Sequence, residues 1–109
     1  MSFNATTQID NAIATITLTG DLDASSAPAF REQIDIAAQS NPQRIVLLAS
    51  GLDYMASAGL RVLVFANQKL GTDVDIYLVA PQELVLETLQ KTGFDQSVII
   101  VDDIAAAMA

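Results

Sequence analysis

Apolar and polar residues alternate along Ile13-Ala14-Thr15-Ile16-Thr17-Leu18, with Ala14, Ile16 and Leu18 on one side and Thr15 and Thr17 on the other. A period of two is that of a strand with one face covered. Residues 6–9 are a weaker strand candidate, and the Asp10-Asn11 connection suits an antiparallel hairpin. Gly20-Asp21-Leu22-Asp23-Ala24 then reads as a polar loop ending the strand. Ser25 or Ser26 can cap a helix that tolerates Pro28 in its first turn. Phe30, Ile34, Ala37 and Ala38 fall at i, i+4, i+7 and i+8, one helical face, and Ser40-Asn41-Pro42 stops the helix.

The pattern changes at Ile45-Val46-Leu47-Leu48-Ala49, a continuous apolar run. It predicts a central strand buried on both faces, as in a parallel sheet, with Ser50-Gly51 loosening the chain after it. A second helix is expected from Ser57 to about Leu70, with Gly71 past its end. Gly59, Val62, Leu63, Ala66 and Leu70 share its inward arc, whereas Leu60, Val64 and Phe65 fall outside. Residues 76–79 form the next strand, ended by Ala80-Pro81. Residues 81–92 read as a third helix with Val85, Leu86 and Leu89 inward. Gly93 suits a left-handed cap, and Phe94 can pack back on Leu89. Val98-Ile99-Ile100-Val101 is the last buried strand, and Asp102 or Asp103 can cap a short helix over 104–108. The order ββαβαβαβα predicts one α/β domain. Its mixed sheet has an N-terminal antiparallel hairpin, then parallel strands, with about four helices packed on it.

Composition removes several kinds of chemistry. The 109 residues suffice for one core, and 51% hydrophobic with 17% charged residues describes a folded domain. There is no Cys and no His, which excludes disulfides, thiolate catalysis, a Ser-His relay and most transition-metal sites, so no metal or cofactor is expected. Net charge is −8 with Lys and Arg together only 5. That balance argues against nucleic acid and against an anionic membrane surface. A basic or mixed-charge protein partner is easier to accommodate. No apolar run approaches the ~20 residues that span a bilayer. Met1-Ser2-Phe3-Asn4 lacks the features of a secretory signal, so the expected compartment is the cytoplasm.

The candidate chemistry lies in Leu52-Asp53-Tyr54-Met55-Ala56-Ser57-Ala58-Gly59-Leu60-Arg61, the joint between buried strand and second helix. Ser57 sits there among small neighbours that leave its hydroxyl accessible. A serine at a helix start can simply be an N-cap, worth about 1 kcal/mol. The same position tolerates a phosphate, because the first-turn amides and the helix dipole favour an anion. Asp23 follows a strand end that should lie at the same sheet edge as Ser57. Asp21 and Asp23 suit equally well a turn in which they bond local amides. Asp53 reads as a solvated loop acid. Phe65, between Arg61 and Lys69, reads either as part of a docking surface or as a side chain covered by a neighbouring helix.

Taken together these features resemble the STAS domain of bacterial anti-anti-sigma factors (anti-sigma factor antagonists). The resemblance spans nearly the whole chain. Tyr54-Met55-Ala56-Ser57-Ala58-Gly59-Leu60 is similar to the family's aromatic-apolar-Asp-Ser-Ser-Gly-Leu segment, whose phosphoacceptor falls on Ser57. Gly20-Asp21-Leu22-Asp23 resembles its Gly-x-Leu-Asp loop, and residues 89–94 resemble its Leu-x-x-x-Gly-apolar helix end. Two positions depart: Ala56 replaces the acid before the phosphoacceptor, and Leu48 replaces an Asp often found at the end of the preceding strand. Both are expected near the switch. The resemblance implies a non-enzymatic regulator that, unphosphorylated, binds an anti-sigma factor that is also a serine kinase. It also implies a PP2C-type phosphatase as the resetting partner. Asp23, Ala56, Ala58, Gly59, Leu60, Arg61 and Phe65 are the expected partner-binding residues. Within the same fold, a subunit of a stressosome-like or lipid-transport assembly is the alternative. A receiver-like phosphoaspartate domain would instead need an acid at the third strand's end, where Leu48 and Ala49 stand. A haloacid-dehalogenase-like phosphatase, suggested by Asp21 and Asp23, would need a longer chain and a suitably placed lysine.

Overall fold

The alternating stretch becomes β2 (Ile13–Leu22) of a computed structural model that describes residues 3–108. β1 (Phe3–Asp10) pairs with it antiparallel, and β3 (Arg44–Met55) pairs parallel on its other side. β4 (Asp75–Val79) and β5 (Ile99–Val101) follow in parallel, so the spatial order is β1-β2-β3-β4-β5. The helices are α1 (Ala27–Gln39), α2 (Ser57–Leu70), α3 (Glu83–Thr92) and α4 (Ile104–Met108), with a 3-10 turn at Phe94–Gln96. This is the expected mixed α/β sheet and element order.

Period-two burial explains the layering. Ala14, Ile16, Leu18, Ile45, Leu47 and Leu78 point to one face, where Phe30 and Ile34 of α1, Leu63 of α2 and Leu89 of α3 meet them in the main core. The opposite face carries a small second cluster, Val46, Val79 and Ala107, so among the described residues α4 is the helix that covers that side. Arg44 fastens it: its guanidinium donates to the Ala107 carbonyl at 2.7 Å and lies 5.4 Å from the Tyr77 ring centroid. Asp103 caps α4 by accepting the Ala106 N–H at 2.9 Å.

Several boundaries follow sequence expectation, including α2 with Gly71 past its end and Gly93 in the left-handed conformation at φ 76°. Others differ for identifiable reasons. β2 does not end before Gly20; it continues to Leu22, whose side chain is wholly buried. β3 likewise runs through Ser50-Gly51 to Met55. Gly51 lies so close to β2 that a Cβ there would approach Thr19 Cγ2 to 2.9 Å, so this glycine permits close strand approach rather than loosening the chain. Register irregularities at Thr17/Thr19 and Gly20/Asp21 absorb the curvature. β1 takes in Phe3 to Asp10 rather than 6–9 alone. α3 begins at Glu83 rather than Pro81, because Ala80 turns the chain at φ 52°. β5 is a three-residue edge strand with Ile99 exposed, not a buried strand. Leu60 is also inward, at 9% exposure: the buried arc of α2 is wider than one helical face.

Phe30 is the largest wholly buried side chain and joins α1 to the sheet. Phe30→Ala should cost about 3–5 kcal/mol, a large part of the ~5–15 kcal/mol typical of a domain. Urea unfolding measures this, and a loss below about 1 kcal/mol would show that the layer closes over the cavity.

Candidate functional site

Two chain segments leave the sheet at the carboxyl ends of β2 and β3, and the register places them side by side. Asp21 pairs with Tyr54 and Leu22 with Met55. Beyond these pairs, the Ala56 N–H donates to the Leu22 carbonyl at 2.8 Å, tying the two exits together. Asp23 and Ser57 therefore share one edge of the sheet.

The Asp23 loop is self-fastened. Oδ1 of Asp23 accepts from the Ser25 hydroxyl at 2.7 Å, the Ser25 N–H at 3.0 Å and the Ser26 N–H at 3.1 Å. The Asp23 N–H in turn donates to Ser26 Oγ at 2.8 Å, and that hydroxyl lies 2.8 Å from the Asp21 carbonyl it can donate to. Ser26 is the N-cap residue of α1, yet its side chain bonds this loop rather than a helix amide. The Ser25 hydroxyl first, then the Ser26 amide, hold the Asp23 carboxyl below the usual carboxylate range, against a smaller opposing effect of burial. Asp23 is thus a turn-forming acid, and Asp21 lies within β2.

Ser57 occupies the first helical position of α2, and Ala56 is the cap residue, extended at φ −87° and ψ 172°. The Ala56 carbonyl accepts from the Gly59 and Leu60 amides, but its methyl can cap nothing. The first turn carries no acidic residue and no side-chain cap, so the amides of Ser57 and Ala58 remain available to an acceptor from outside. The Ser57 side chain is exposed, and among the described residues its hydroxyl has no hydrogen-bond partner. Gly59 is buried against Leu22: a Cβ on it would come within 2.7 Å of Leu22 Cδ2 and 3.1 Å of Met55 Cγ. Leu22 has no solvent-exposed surface, so it cannot simply swing aside. Gly59 and Leu60, both expected at a partner surface, face inward and position the turn instead.

Next to Ser57 a groove of about 370 Å³ runs between α1 and α2. Its walls include buried Ala27 and Val62, half-buried Phe65 and Ala58, and exposed Arg31 and Arg61. Phe65 packs against the main core, and Arg31 of α1 stacks over its ring at 4.0 Å from the centroid. A neighbouring helix therefore does cover it in part. Lys69 lies 5.6 Å from the same ring and pairs with Asp35 at 3.5 Å. Three of the five cations, Arg31, Arg61 and Lys69, thus lie on the α1–α2 surface of a chain whose net charge is −8. A larger but shallow hollow of about 600 Å³ lies at the far end of α2, beside Asn67, Gly71 and Asp75, away from Ser57.

Leu48 is not near Ser57. It stands seven positions before Met55 on β3, about 23 Å of extended chain, and it packs with the second cluster. The strand expected to end near residue 49 continues, which removes Leu48 from the switch. Asp53, expected as a loop acid, is on β3, and its Oδ1 accepts from Gln82 Nε2 at 3.1 Å. Sequence reasoning missed two contributions here: Arg31 over Phe65 and the exposed Tyr54 ring beside the exit of β3. Tyr54 was visible as the aromatic of the motif, whereas nothing in the spacing of α1 points Arg31 at α2. Among the described residues no group of three or more Asp or Glu side chains is arranged to hold a metal ion, and no helix is long and apolar enough to cross a membrane.

Residues 4–107 match the STAS domain family. The anti-sigma-F factor antagonist RsfB of Mycobacterium tuberculosis (strain H37Rv) is 26% identical over 96 residues, covering 88% of this chain and 79% of the relative. Among solved structures, an anti-sigma factor antagonist from Mycobacterium paratuberculosis superposes with a TM-score of 0.89 at 21% identity, covering 98% of this chain and 92% of that one. The anti-sigma factor antagonist SpoIIAA in its unphosphorylated form gives 0.78 at 19% identity, covering 97% and 93%. At those identities the structural likeness carries the fold.

Two outcomes follow from the geometry. Gly59→Ala should destabilise the domain by about 1–3 kcal/mol through overpacking on Leu22, read as a lower melting temperature; an unchanged value would mean that α2 can ride up freely. For Asp23 the sign is that of an acid strengthened by folding. Its bonds add stability at neutral pH, and the gain fades as pH falls below the ordinary carboxylate range near ~4. Asp23→Asn should therefore flatten the acid limb of the urea midpoint plotted against pH, and an unaltered limb would remove Asp23 as a contributor.

Proposed function

We propose that this chain, which belongs to the STAS domain family, acts as an anti-sigma factor antagonist. Anti-sigma factor antagonists are regulatory proteins rather than enzymes. In this reading the unphosphorylated chain binds an anti-sigma factor that is also a serine kinase, and so frees a sigma factor. Phosphorylation of Ser57 ends the binding, and a PP2C-type phosphatase restores it. These events belong in the cytoplasm. The observation that carries the reading is Ser57 itself: an exposed hydroxyl at the first position of an uncapped helix, beside the Asp23 loop.

The physics of such a switch is local. The free amides of Ser57 and Ala58 and the dipole of α2 accommodate a phosphate without unfolding the domain. The phosphate adds about −1.5 to −2 charges. They act on whatever is docked over the α1–α2 groove, by repulsion of partner acids and by loss of desolvated contacts. Arg31, Arg61 and the half-buried Phe65 give that groove a cationic and aromatic character, suited to an acidic or apolar segment of the partner. Ala58, next to Ser57 in sequence, and Arg61, about one helical turn further on, both lie on the groove wall.

A second reading rests on Ala56. A carboxylate at that cap position would be available to a kinase, and a methyl is not. The chain would then be a STAS interaction subunit of another assembly, stressosome-like or lipid-transporting, with Ser57 left unmodified.

Titration of wild type, Ser57→Ala and Ser57→Asp against the anti-sigma factor of the native cell tests the first reading. Ser57→Ala should keep its affinity, and Ser57→Asp should lose at least about tenfold, or ~1.4 kcal/mol. Incubation with the kinase and ATP should give an acid-stable phosphoserine on wild type alone. Equal affinity of all three with intact circular dichroism would reject the switch, and no binding of the anti-sigma factor by any of the three, with no phosphorylation of wild type, would favour the second reading.

A further inference from the structure

An open sheet has two edges, and here they differ in kind. β5 is three residues long and is followed at once by Asp102-Asp103, a short and charged edge of the sort that resists pairing. β1 has eight residues, pairs with β2 along its length without a register shift, and contains neither Pro nor Lys. Its single charge, Asp10, lies at the turn. The two-residue turn closing on Asp10 and Ile13 fixes the direction of its main-chain groups. Those of Asn4, Thr6, Gln8 and Asp10 face β2, so those of Phe3, Ala5, Thr7 and Ile9 face outward.

The flank of this edge exposes two apolar side chains beside a polar pair. Ile9 is 48% exposed. Thr7 Oγ1 lies 2.6 Å from Gln33 Oε1, which brings that side of α1 over β1, while Arg31 and Asp35 engage α2 on the other side. At about 100° per residue, Ile36 shares the Gln33 side, and it too is exposed, at 40%.

We propose that the outer edge of β1 is a self-association surface on which a second copy of this chain pairs antiparallel, joining two sheets into one. The strand is complementary to itself. A two-fold axis at Thr6 sets Phe3 opposite Ile9, Ala5 opposite Thr7 and Asn4 opposite Gln8. Each pair lies on a single face, and no like charges are opposed. The outward amides and carbonyls of Phe3, Ala5, Thr7 and Ile9 meet their counterparts, and Ile9 gains an aromatic neighbour. Because each copy carries a net charge of −8, long-range repulsion opposes the dimer and salt relieves it. The dimer therefore strengthens with ionic strength, unlike a complex held by opposite charges.

Sedimentation equilibrium of the full chain over a concentration series, at low and high salt, tests this. The mass should double with concentration, at lower concentration in high salt. Ile9→Lys, at an exposed site, should stay monomeric with an unchanged circular dichroism spectrum. The chain has no cysteine, so single-cysteine variants report on register. Thr6→Cys faces its own copy in a non-hydrogen-bonded pair at a Cα separation of about 4.5 Å, within disulfide reach. It should cross-link on oxidation, as should a mixture of Asn4→Cys with Gln8→Cys. Lys91→Cys, at an exposed position of α3, should not. A monomer under all conditions would overturn the proposal. So would a dimer that survives Ile9→Lys and leaves Thr6→Cys uncross-linked.

Discussion

Leu22 is the residue through which the site is assembled. Its side chain is wholly buried beneath Gly59, and its carbonyl holds the Ala56 N–H at 2.8 Å. One contact fixes how near the first turn of α2 comes to the sheet, and the other fixes where that turn starts. With both in place, the chain leaving β2 and the chain leaving β3 have no independent freedom. Asp23 and Ser57 are held at one edge by packing and main-chain bonding, without any bond between their side chains. A Cβ at position 59 would act as a wedge between the two layers, which is why the position calls for glycine although its backbone is ordinary helix.

The exposed chemistry depends on this rigid base. Ala56 leaves the start of α2 uncapped, and Asp23 spends one carboxylate oxygen on its own loop. The first feature keeps amides free where an anion can sit, and the second keeps the neighbouring loop in a single shape. Around them the surface departs from the acidic average of the chain, with Arg31 stacked on Phe65 and Arg61 on the adjoining wall. A change of charge at Ser57 would therefore act on a prepared local field rather than on the fold.

Much of this was legible in the chain. The 3.6-residue period of α1 and α2, the apolar run of β3 and the glycines after α2 and α3 are local signals, and the structure follows them. What was not legible depends on pairing between distant segments. Gly20-Asp21-Leu22 and Ser50-Gly51 read as loops by residue type, yet they are strand because β2 and β3 go on pairing past them: Gly51 lies against Thr19, and Gly20, Asp21 and Leu22 lie against Leu52, Tyr54 and Met55. The resemblance sets Leu48 near the switch as the end of a strand, yet the strand runs on to Met55. Leu60 lay outside the arc on a helical wheel, but the surroundings of α2 bury more than one face. The cover over Phe65 comes from α1, whose own pattern shows only that Arg31 faces away from the core. The start of α2 at Ser57 is a local signal, whereas the bonding of Asp23 depends on the path of the loop.

The order of the strands across the sheet is the order in which they are synthesised, β1-β2-β3-β4-β5. Each new strand needs only the one made before it, reached through a single helical crossover or, first of all, a hairpin. No strand has to be inserted between two others already paired. The sheet can thus be laid down from one side as the chain emerges, with loop-closure entropy met in short instalments. Growth proceeds only toward β5, so the earliest strand made remains the outer boundary of the sheet from the first hairpin onward.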